Sequence, residues 1–374
     1  MTDSADLRRR LAVAVPVDDP AWRTALETVP RELFLDKGLF QFDGHRWTPV
    51  HKDLTDPGTW LGLVHQDTTW VTQVDGTPAA DAVGPVTGRP TSSSTLPSLI
   101  VRMLDLAGIE EGHRVLEIGT GTGYSTAILC SRLGDENVYS IEYDPGLAAT
   151  AADHIHAAGY HPVLITGDGL AGHEDDAEYD HIVATCAVRH IPLAWLQQVR
   201  VGGSITTTIS GWMLASGLVR LHVRDDGTAT GRFHPDQIGY MLARPHERPP
   251  RPTFHQRPGH TRATRVDPAL LEDWTGQFLA QLAAPSAELM TTSTGVILVD
   301  VATGSQAWTE PAEGGWTVHQ HGPLRLWDQV EDALTVWQGA GSPPHSALGL
   351  TVHPDGTQHV WLGTPEGPAW NLPV

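Results

Sequence analysis

The chain has 374 residues, with 44 Asp and Glu against 24 Lys and Arg and a formal net charge of −20 at pH 7. That balance, with Lys37 and Lys52 as the only lysines, argues against a nucleic-acid substrate, because phosphates are met by clustered basic side chains. Cys130 and Cys186 stand in no metal or CxxC spacing, no apolar run spans a bilayer, and Arg8 to Arg10 precede too short an apolar stretch for a signal peptide; these features predict a cytoplasmic protein without disulfides or a membrane segment, of one or two domains with two preferred.

In chain order, residues 6 to 35 read as helical, with Leu7, Leu11, Trp22, Leu26 and Val29 on one face and a break between Pro16 and Pro20. From Phe40 to Gly88 apolar and polar residues alternate in Trp47 to Val50 and Trp70 to Val74, separated by Asp-Pro-Gly and Asp-Gly turns, which predicts short strands or a lid. Leu99, Ile100, Met103, Leu104 and Leu106 form a helical stripe. Strands then alternate with helices through Ile182-Val183 and Gly203 to Ile209, the pattern of a parallel sheet covered on both faces. Arg244 to Thr253 is rich in proline and arginine and reads as a linker. Beyond it, Gly295 to Val301, Trp316 to His319 and His359 to Leu362 alternate like strands, with a helix over Leu270 to Leu282. The expected division is an N-terminal cap and substrate-facing lid over 1–95, a cofactor-binding core over 96–243 and a smaller mixed α+β domain over 254–374.

The most informative stretch is Val115 to Leu129, a buried strand, a glycine loop and a helix start. Its glycines, Gly119, Gly121 and Gly123, run G-x-G-x-G rather than the dinucleotide G-x-G-x-x-G, and Glu117 precedes them. A carboxylate there repels a pyrophosphate but pairs with the amine of an amino-acid-bearing cofactor, which points to S-adenosylmethionine, with S-adenosylhomocysteine as product. Glu142, ending a second apolar strand, stands where an acid contacts a ribose diol, beside Tyr143; Asp168, next to Gly169 at a third strand end, is placed for the adenine amino group. Thr120 and Thr122 complete the loop. The fold expected is α/β, a Rossmann-like class I methyltransferase with an N-terminal helical cap or lid and the mixed C-terminal domain.

These residues resemble protein-L-isoaspartate O-methyltransferases. Val29 to Phe34 is similar to their V-P-R-E-x-F element; Leu116 to Tyr124 with Thr126 to Leu129 is similar to their cofactor loop; Gly167 to Gly169 and Tyr179 to Thr185 are similar to their later strand ends. Where that family has T-I-S-x-P facing the substrate carboxylate, the register set by Pro97 and Arg102 places Ser93, Ser94 and Thr95. The resemblance covers about residues 5 to 225. Two departures, a longer stretch between Phe34 and Ser93 and a domain after 244 expected to be absent from the repair enzymes, are similar to the branch that accompanies ribosomal peptide maturation with ATP-grasp (graspetide) or lanthipeptide enzymes. That resemblance implies methylation of an L-Asp in a pre-cyclised precursor peptide, leading to aspartimide; repair of isoaspartate is the alternative, and a non-catalytic peptide escort is the alternative of another class.

An aspartate carboxylate, with an unperturbed pKa of about 3.9, is already the nucleophile near neutrality, so the chemistry needs alignment and oriented donors rather than a base. Ser93, Ser94 and Thr95 are the candidate donors, or alternatively the N-cap of the following helix. Arg189 and His190 follow a strand end and are candidates for substrate contact or for a solvated loop. The H-x-H pairs His154/His156 and His319/His321 lack a third ligand, so no metal is expected. Hydrolase motifs are absent.

Overall fold

The computed structural model describes residues 3–175 and 178–373. The chain divides into two compact units, Met1–Thr185 with Gln197–Thr206 and Cys186–Leu196 with Thr207–Val374. The first opens with α1 (Ser4–Ala14) and α2 (Pro20–Thr28), whose first-turn N–H groups are met by the Asp3 and Asp19 side chains. Leu11, Trp22, Leu26 and Val29 are buried as the periodicity requires.

A small antiparallel sheet follows, built from β1 (Gly38–Phe42), β2 (Trp47–His51), β3 (Trp70–Val74), β4 (Thr77–Pro78) and β5 (Pro90–Ser94), with α3 (Pro57–Val64) between β2 and β3. Its order is β2-β1-β3-β4, and β5 also pairs with β3. Asp75 and Gly76, at φ 43° and 77°, make the expected tight turn between β3 and β4. The expected turn at Asp56-Pro57-Gly58 is instead the start of α3: the Asp56 carboxylate accepts the Thr59 N–H, and Pro57 occupies a first-turn position where its missing N–H costs nothing. That helix buries Trp60 and Val64 in a cluster with Leu35, Leu39 and Trp70.

Then come α4 (Pro97–Ala107), β6 (Val115–Ile118), α5 (Tyr124–Leu133), β7 (Val138–Glu142), α6 (Pro145–Ala157), β8 (Val163–Thr166), β9 (Tyr179–Val188), α7 (Leu193–Gln198) and β10 (Val199–Ser210). Strands β9, β6, β7 and β8 are neighbours in that order and parallel, with Glu117 opposite Ser140 and Glu142 opposite Thr166. Parallel strands joined through helices bring their carboxyl ends, and the loops that follow, to one edge of the sheet, where ligands of such folds bind.

In the second unit the chain continues through β11 (Ser216–Val223), β12 (Ala229–Arg232), β13 (His260–Ala263), α8 (Trp274–Ala283), β14 (Ala287–Thr292), β15 (Gly295–Asp300), β16 (Gln306–Ala312), β17 (Gly315–His321), α9 (Leu326–Gly339), β18 (Leu348–Val352), β19 (Gln358–Leu362) and β20 (Ala369–Asn371). One antiparallel sheet has the order β13-β17-β16-β15-β14; β11, β12, β18, β19 and β20 follow one another in the other. The stretch Arg244 to Thr253 is not a free linker. Trp212 donates to the His246 carbonyl at 3.1 Å, and Arg248 and Arg251 both pair with Glu288, so its arginines fasten it to this unit.

Candidate functional site

Glu117 is fully buried on β6, because a strand of a parallel sheet is covered on both faces. One carboxylate oxygen accepts hydrogen bonds from the hydroxyls of Thr126 at 2.5 Å and Ser140 at 2.7 Å. The other oxygen, Oε1, is buried and has no partner among the described residues. Burial pushes the carboxyl pKa up, and the hydroxyls of Ser125, Thr126 and Ser140 offset part of that. A buried acceptor with one vacant side is completed by a positively charged N–H donor, and so the residue fits the amine expected from the sequence.

The glycine loop after β6 has Gly119, Gly121 and Gly123 at φ 99°, 57° and 90°, a left-handed backbone that other residues adopt only at a cost. At Gly123 a Cβ would also stand 2.8 Å from the Ile155 side chain on α6. The loop is tied down from several sides. Gly119 and Thr120 donate to the Ile141 carbonyl, Thr185 donates to the Gly119 carbonyl at 2.6 Å, and the Thr120 hydroxyl meets Ser140 at 2.7 Å. Glu142 accepts the Gly121 N–H at 2.8 Å and the Asp144 N–H at 3.0 Å. Burial raises the Glu142 pKa, and these two N–H groups pull the other way.

Tyr143 is half exposed beside Glu142. Asp168 is exposed and accepts the Leu170 N–H at 2.9 Å. Gly169 is fixed by space, since a Cβ there would lie 2.4 Å from Ile118. Thr122 offers its carbonyl to His154 Nδ1 at 3.2 Å, and His154 Nε2 lies 3.2 Å from the Asp36 carboxylate. His154 therefore bridges the glycine loop and the chain just before β1. Among the described residues no group of three or more His, Cys, Asp or Glu is arranged to hold a metal ion.

Ser93 and Ser94 belong to β5, opposite Val71 and Trp70 of β3. They do not cap α4: its N-cap is Leu96, which makes no side-chain cap bond. The Leu96 and Ser98 N–H groups are taken by the Thr69 hydroxyl and the Asp67 carboxylate instead. Alternation along the strand separates Ser94 from Ser93. Ser94 is 2% exposed and its hydroxyl has no partner among the described residues, whereas Ser93 and Thr95 are half-buried. A Cβ on Gly121 would stand 3.7 Å from the Ser93 carbonyl, so this strand end abuts the glycine loop.

Arg31 of the V-P-R-E element is a residue whose role sequence reasoning missed. It is fully buried and donates to the carbonyls of Val64, Gln66, Thr68 and Thr95, at 3.0, 2.6, 2.9 and 3.3 Å. Burial lowers its pKa to about 10, with the Tyr124 and Asp67 charges acting against that. Its neighbour Glu32 accepts from Arg8 at 2.6 Å and lies 3.1 Å from His65 Nε2. Burial opposes ionisation of Glu32, but hydrogen bonds from His65 and Ser4 with the Arg8 charge hold its pKa at about 2. The signal for both was the fixed V-P-R-E spelling, which names the residues without saying what they touch.

Arg189 and His190 lie in the second unit. The Arg189 guanidinium stacks 3.8 Å above the Trp212 ring and donates to the Pro285 carbonyl at 2.7 Å, and the His190 ring is 4.7 Å from that of His246. No helix among the described residues is long and apolar enough to cross a membrane.

A parallel α/β sheet with a G-x-G-x-G loop and acids at successive strand ends is the layout of the class I methyltransferase fold. A family model described as protein-L-isoaspartate(D-aspartate) O-methyltransferase matches residues 68–232. The protein-L-isoaspartate O-methyltransferase of Thermococcus onnurineus is 32% identical over 152 residues, covering 40% of this chain and 68% of that protein. That of Ignicoccus hospitalis is 40% identical over 109 residues, covering 29% of this chain and 52% of its own length. A solved structure titled protein-L-isoaspartate O-methyltransferase superposes with a TM-score of 0.56 at 20% identity, over 97% of this chain and 100% of that one.

This chain belongs to the protein-L-isoaspartate O-methyltransferase family. It aligns with roughly half to two thirds of the length of the curated relatives it matches. The solved chain carries a correction. The region after 244 was expected to lack a counterpart in the repair enzymes, yet a chain of that title shares the fold over nearly the whole length.

Proposed function

We propose that the protein is an S-adenosylmethionine-dependent carboxyl O-methyltransferase whose acceptor is the free carboxylate of an isoaspartyl residue in a polypeptide. The observation that carries this reading is the pairing of the unpartnered, buried Glu117 Oε1 with a positive-φ glycine loop whose Gly121 abuts the Ser93 strand end. The names borne by the similar proteins support the isoaspartyl acceptor over the L-Asp one. An intact set of acids and glycines speaks against an idle escort.

Glu117 would hold the cofactor amine, Glu142 the ribose diol and Asp168 the adenine edge, with Thr120, Thr122, Tyr143 and Gly169 lining the same loops. When bound, the cofactor supplies an electrophilic methyl group on a sulfonium; the methyl–sulfur bond breaks as the carboxylate oxygen forms its bond to carbon, and sulfur keeps the electron pair. This chain's own residues supply placement. An acceptor carboxylate is ionised well below neutral pH, so no side chain removes a proton. Ser93 and Thr95 would orient it by hydrogen bonds, and alignment of this kind is worth several kcal/mol. Arg31 acts through Thr95, whose carbonyl it fixes. Ser94 faces away from Ser93 and would act on the strand's packing.

A second reading, methylation of L-Asp in a macrocyclised ribosomal peptide on the way to aspartimide, is favoured by one feature: the hydroxyl triplet Ser93-Ser94-Thr95 departs from the family's T-I-S, leaving a buried hydroxyl where an isoleucine stands. Three substrates decide between the readings. Methyl incorporation is measured on an isoaspartyl peptide, on the same peptide with normal aspartate, and on a pre-cyclised precursor peptide. Transfer to the first alone supports the proposal; transfer to the macrocycle alone overturns it in favour of the second reading.

A further inference from the structure

Several arginines of the second unit are neutralised by acids: Arg248 and Arg251 by Glu288, Arg262 and Arg265 by Glu331. One sheet face carries arginines without such partners. In β11, β12, β18 and β19 the register aligns His222 with Thr230, Thr230 with Thr351 and Thr351 with His359, and in-register residues of an antiparallel sheet share a face. The Thr230 and Thr351 hydroxyls meet at 3.1 Å, which confirms the common side. Two residues along each strand the same face carries Arg220, Arg232 and Trp361, and His353 stacks on His359 with ring centroids 5.6 Å apart. The opposite face holds Leu221, Leu350, Val352 and Val360 in the core.

No Asp or Glu occupies a position on this face of the four strands. Acids stand in the flanking turns: Asp225 and Asp226 between β11 and β12, where the Asp226 carboxyl feels Arg224, and Asp355 beyond β18, whose carboxyl feels His353. Among the described residues Arg220 and Arg232 enter no ion pair; Arg232 donates to the carbonyls of Gly363 and Ala347, which orient its charge without cancelling it. Its guanidinium lies 4.8 Å over the Trp361 ring, and that ring lies flat across Gly349, where a Cβ would come within 2.1 Å of it. Burial and then Arg220 lower the His222 pKa, and burial and then His353 lower that of His359. His222 and Arg232 are exposed. A chain of net charge −20 thus keeps Arg220 and Arg232, with His222 and His359 beside them as hydrogen-bonding rings, on one face with no acid in the four strands.

We propose that this sheet face of the second unit is a docking surface for an acidic segment of a polypeptide partner. Carboxylates from such a segment would pair with Arg220 and Arg232 and accept hydrogen bonds from the His222 and His359 rings, beside the half-buried hydroxyl pair Thr230/Thr351. Identifying that partner with the methyl acceptor rests on the reading above; the docking itself does not.

The test is fluorescence anisotropy of a labelled oligoglutamate peptide titrated with the full chain at low salt, without cofactor. The His222→Glu, His359→Glu double variant, checked for an unchanged melting curve, is expected to weaken binding by about tenfold or more, since the added carboxylates set like against like. Arg232→Gln, which keeps donors for the two carbonyls, is expected to weaken it less. Binding of wild type that the double variant lacks, with no binding of oligolysine, supports the proposal. No oligoglutamate binding, equal binding by the double variant, self-association that buries this face, or equally tight binding of single-stranded DNA of the same charge would overturn it. Methylation of a short isoaspartyl peptide lacking acidic residues is expected to be unchanged in the double variant, so failure here and failure of the methyltransferase reading are separate results.

Discussion

Glu142 accepts the backbone N–H of Gly121 at 2.8 Å, which makes the acid at the end of β7 part of the glycine loop. The proposed ribose contact and the loop's shape therefore depend on one carboxylate. Replacing Glu142 by Ala is expected to weaken S-adenosylhomocysteine binding by roughly ten- to a hundredfold, the scale of losing a charged hydrogen bond plus some loop order. Calorimetric titration checks this, and equal affinity would remove Glu142 from the cofactor site.

The hydroxyls before α4 give a second expectation. Since Leu96 and Ser98 are served by Thr69 and Asp67, replacing Ser93 and Thr95 by Ala removes no helix cap. Turnover should fall by about tenfold or more while cofactor affinity and melting temperature stay level. A drop in stability with unchanged turnover would return these residues to a structural role.

How much of this could be read beforehand follows from particular residues. The apolar strand, the glycine loop and the helix after it, from Val115 to Leu129, are legible because few side-chain and backbone solutions satisfy a tight turn between a buried strand and a helix. Strand β5 is not legible: a run of serines carries no β signal, and its conformation comes from pairing with β3. Helix α3 hides in the run Trp60-Leu61-Gly62-Leu63-Val64, which is continuous rather than periodic. Helix α9 does carry a stripe, Leu326, Trp327, Val330, Leu334 and Trp337, all buried. It lies among strand-like tryptophan and histidine segments that draw the reading toward strands. The arginines of 244–253 suggested a linker by composition, and only the fold shows that Glu288 receives two of them.

His154 faces two acceptors, the Thr122 carbonyl and the Asp36 carboxylate. Both contacts are hydrogen bonds at once only if both ring nitrogens carry protons. The chain before β1 and the glycine loop are thus coupled through one imidazole ring. In a double-mutant cycle, Asp36→Asn and His154→Leu are expected to affect S-adenosylhomocysteine affinity non-additively, with a coupling of about 1 kcal/mol. Strict additivity would sever the link.

His345 is 4% exposed between Phe233 and Phe278, and neither ring nitrogen has a partner among the described residues. Burial lowers its pKa from 6.5 to about 4, with Asp273 acting weakly against that. The folded state therefore favours the neutral ring. Its contribution is fully present above pH 6.5 and is lost as pH falls toward 4, amounting to about 3 kcal/mol. His246, also lowered to about 4 by burial and by the charges of His190 and Arg189, acts in the same direction. His345→Phe gives up no hydrogen bond and is expected to flatten this acid limb in denaturant titrations at pH 7 and pH 5. An unchanged pH slope would show that His345 does not titrate in the unfolding transition.

The most direct measurement of the central claim uses methyl-labelled S-adenosylmethionine, the full chain and an isoaspartyl peptide, followed by base treatment and collection of volatile label. The expected result is label on the peptide as a base-labile ester that is released as methanol, with much less in the Glu142→Ala variant at the same subsaturating cofactor concentration. Absence of transfer to any peptide carboxylate by a chain that binds the cofactor tightly would contradict it.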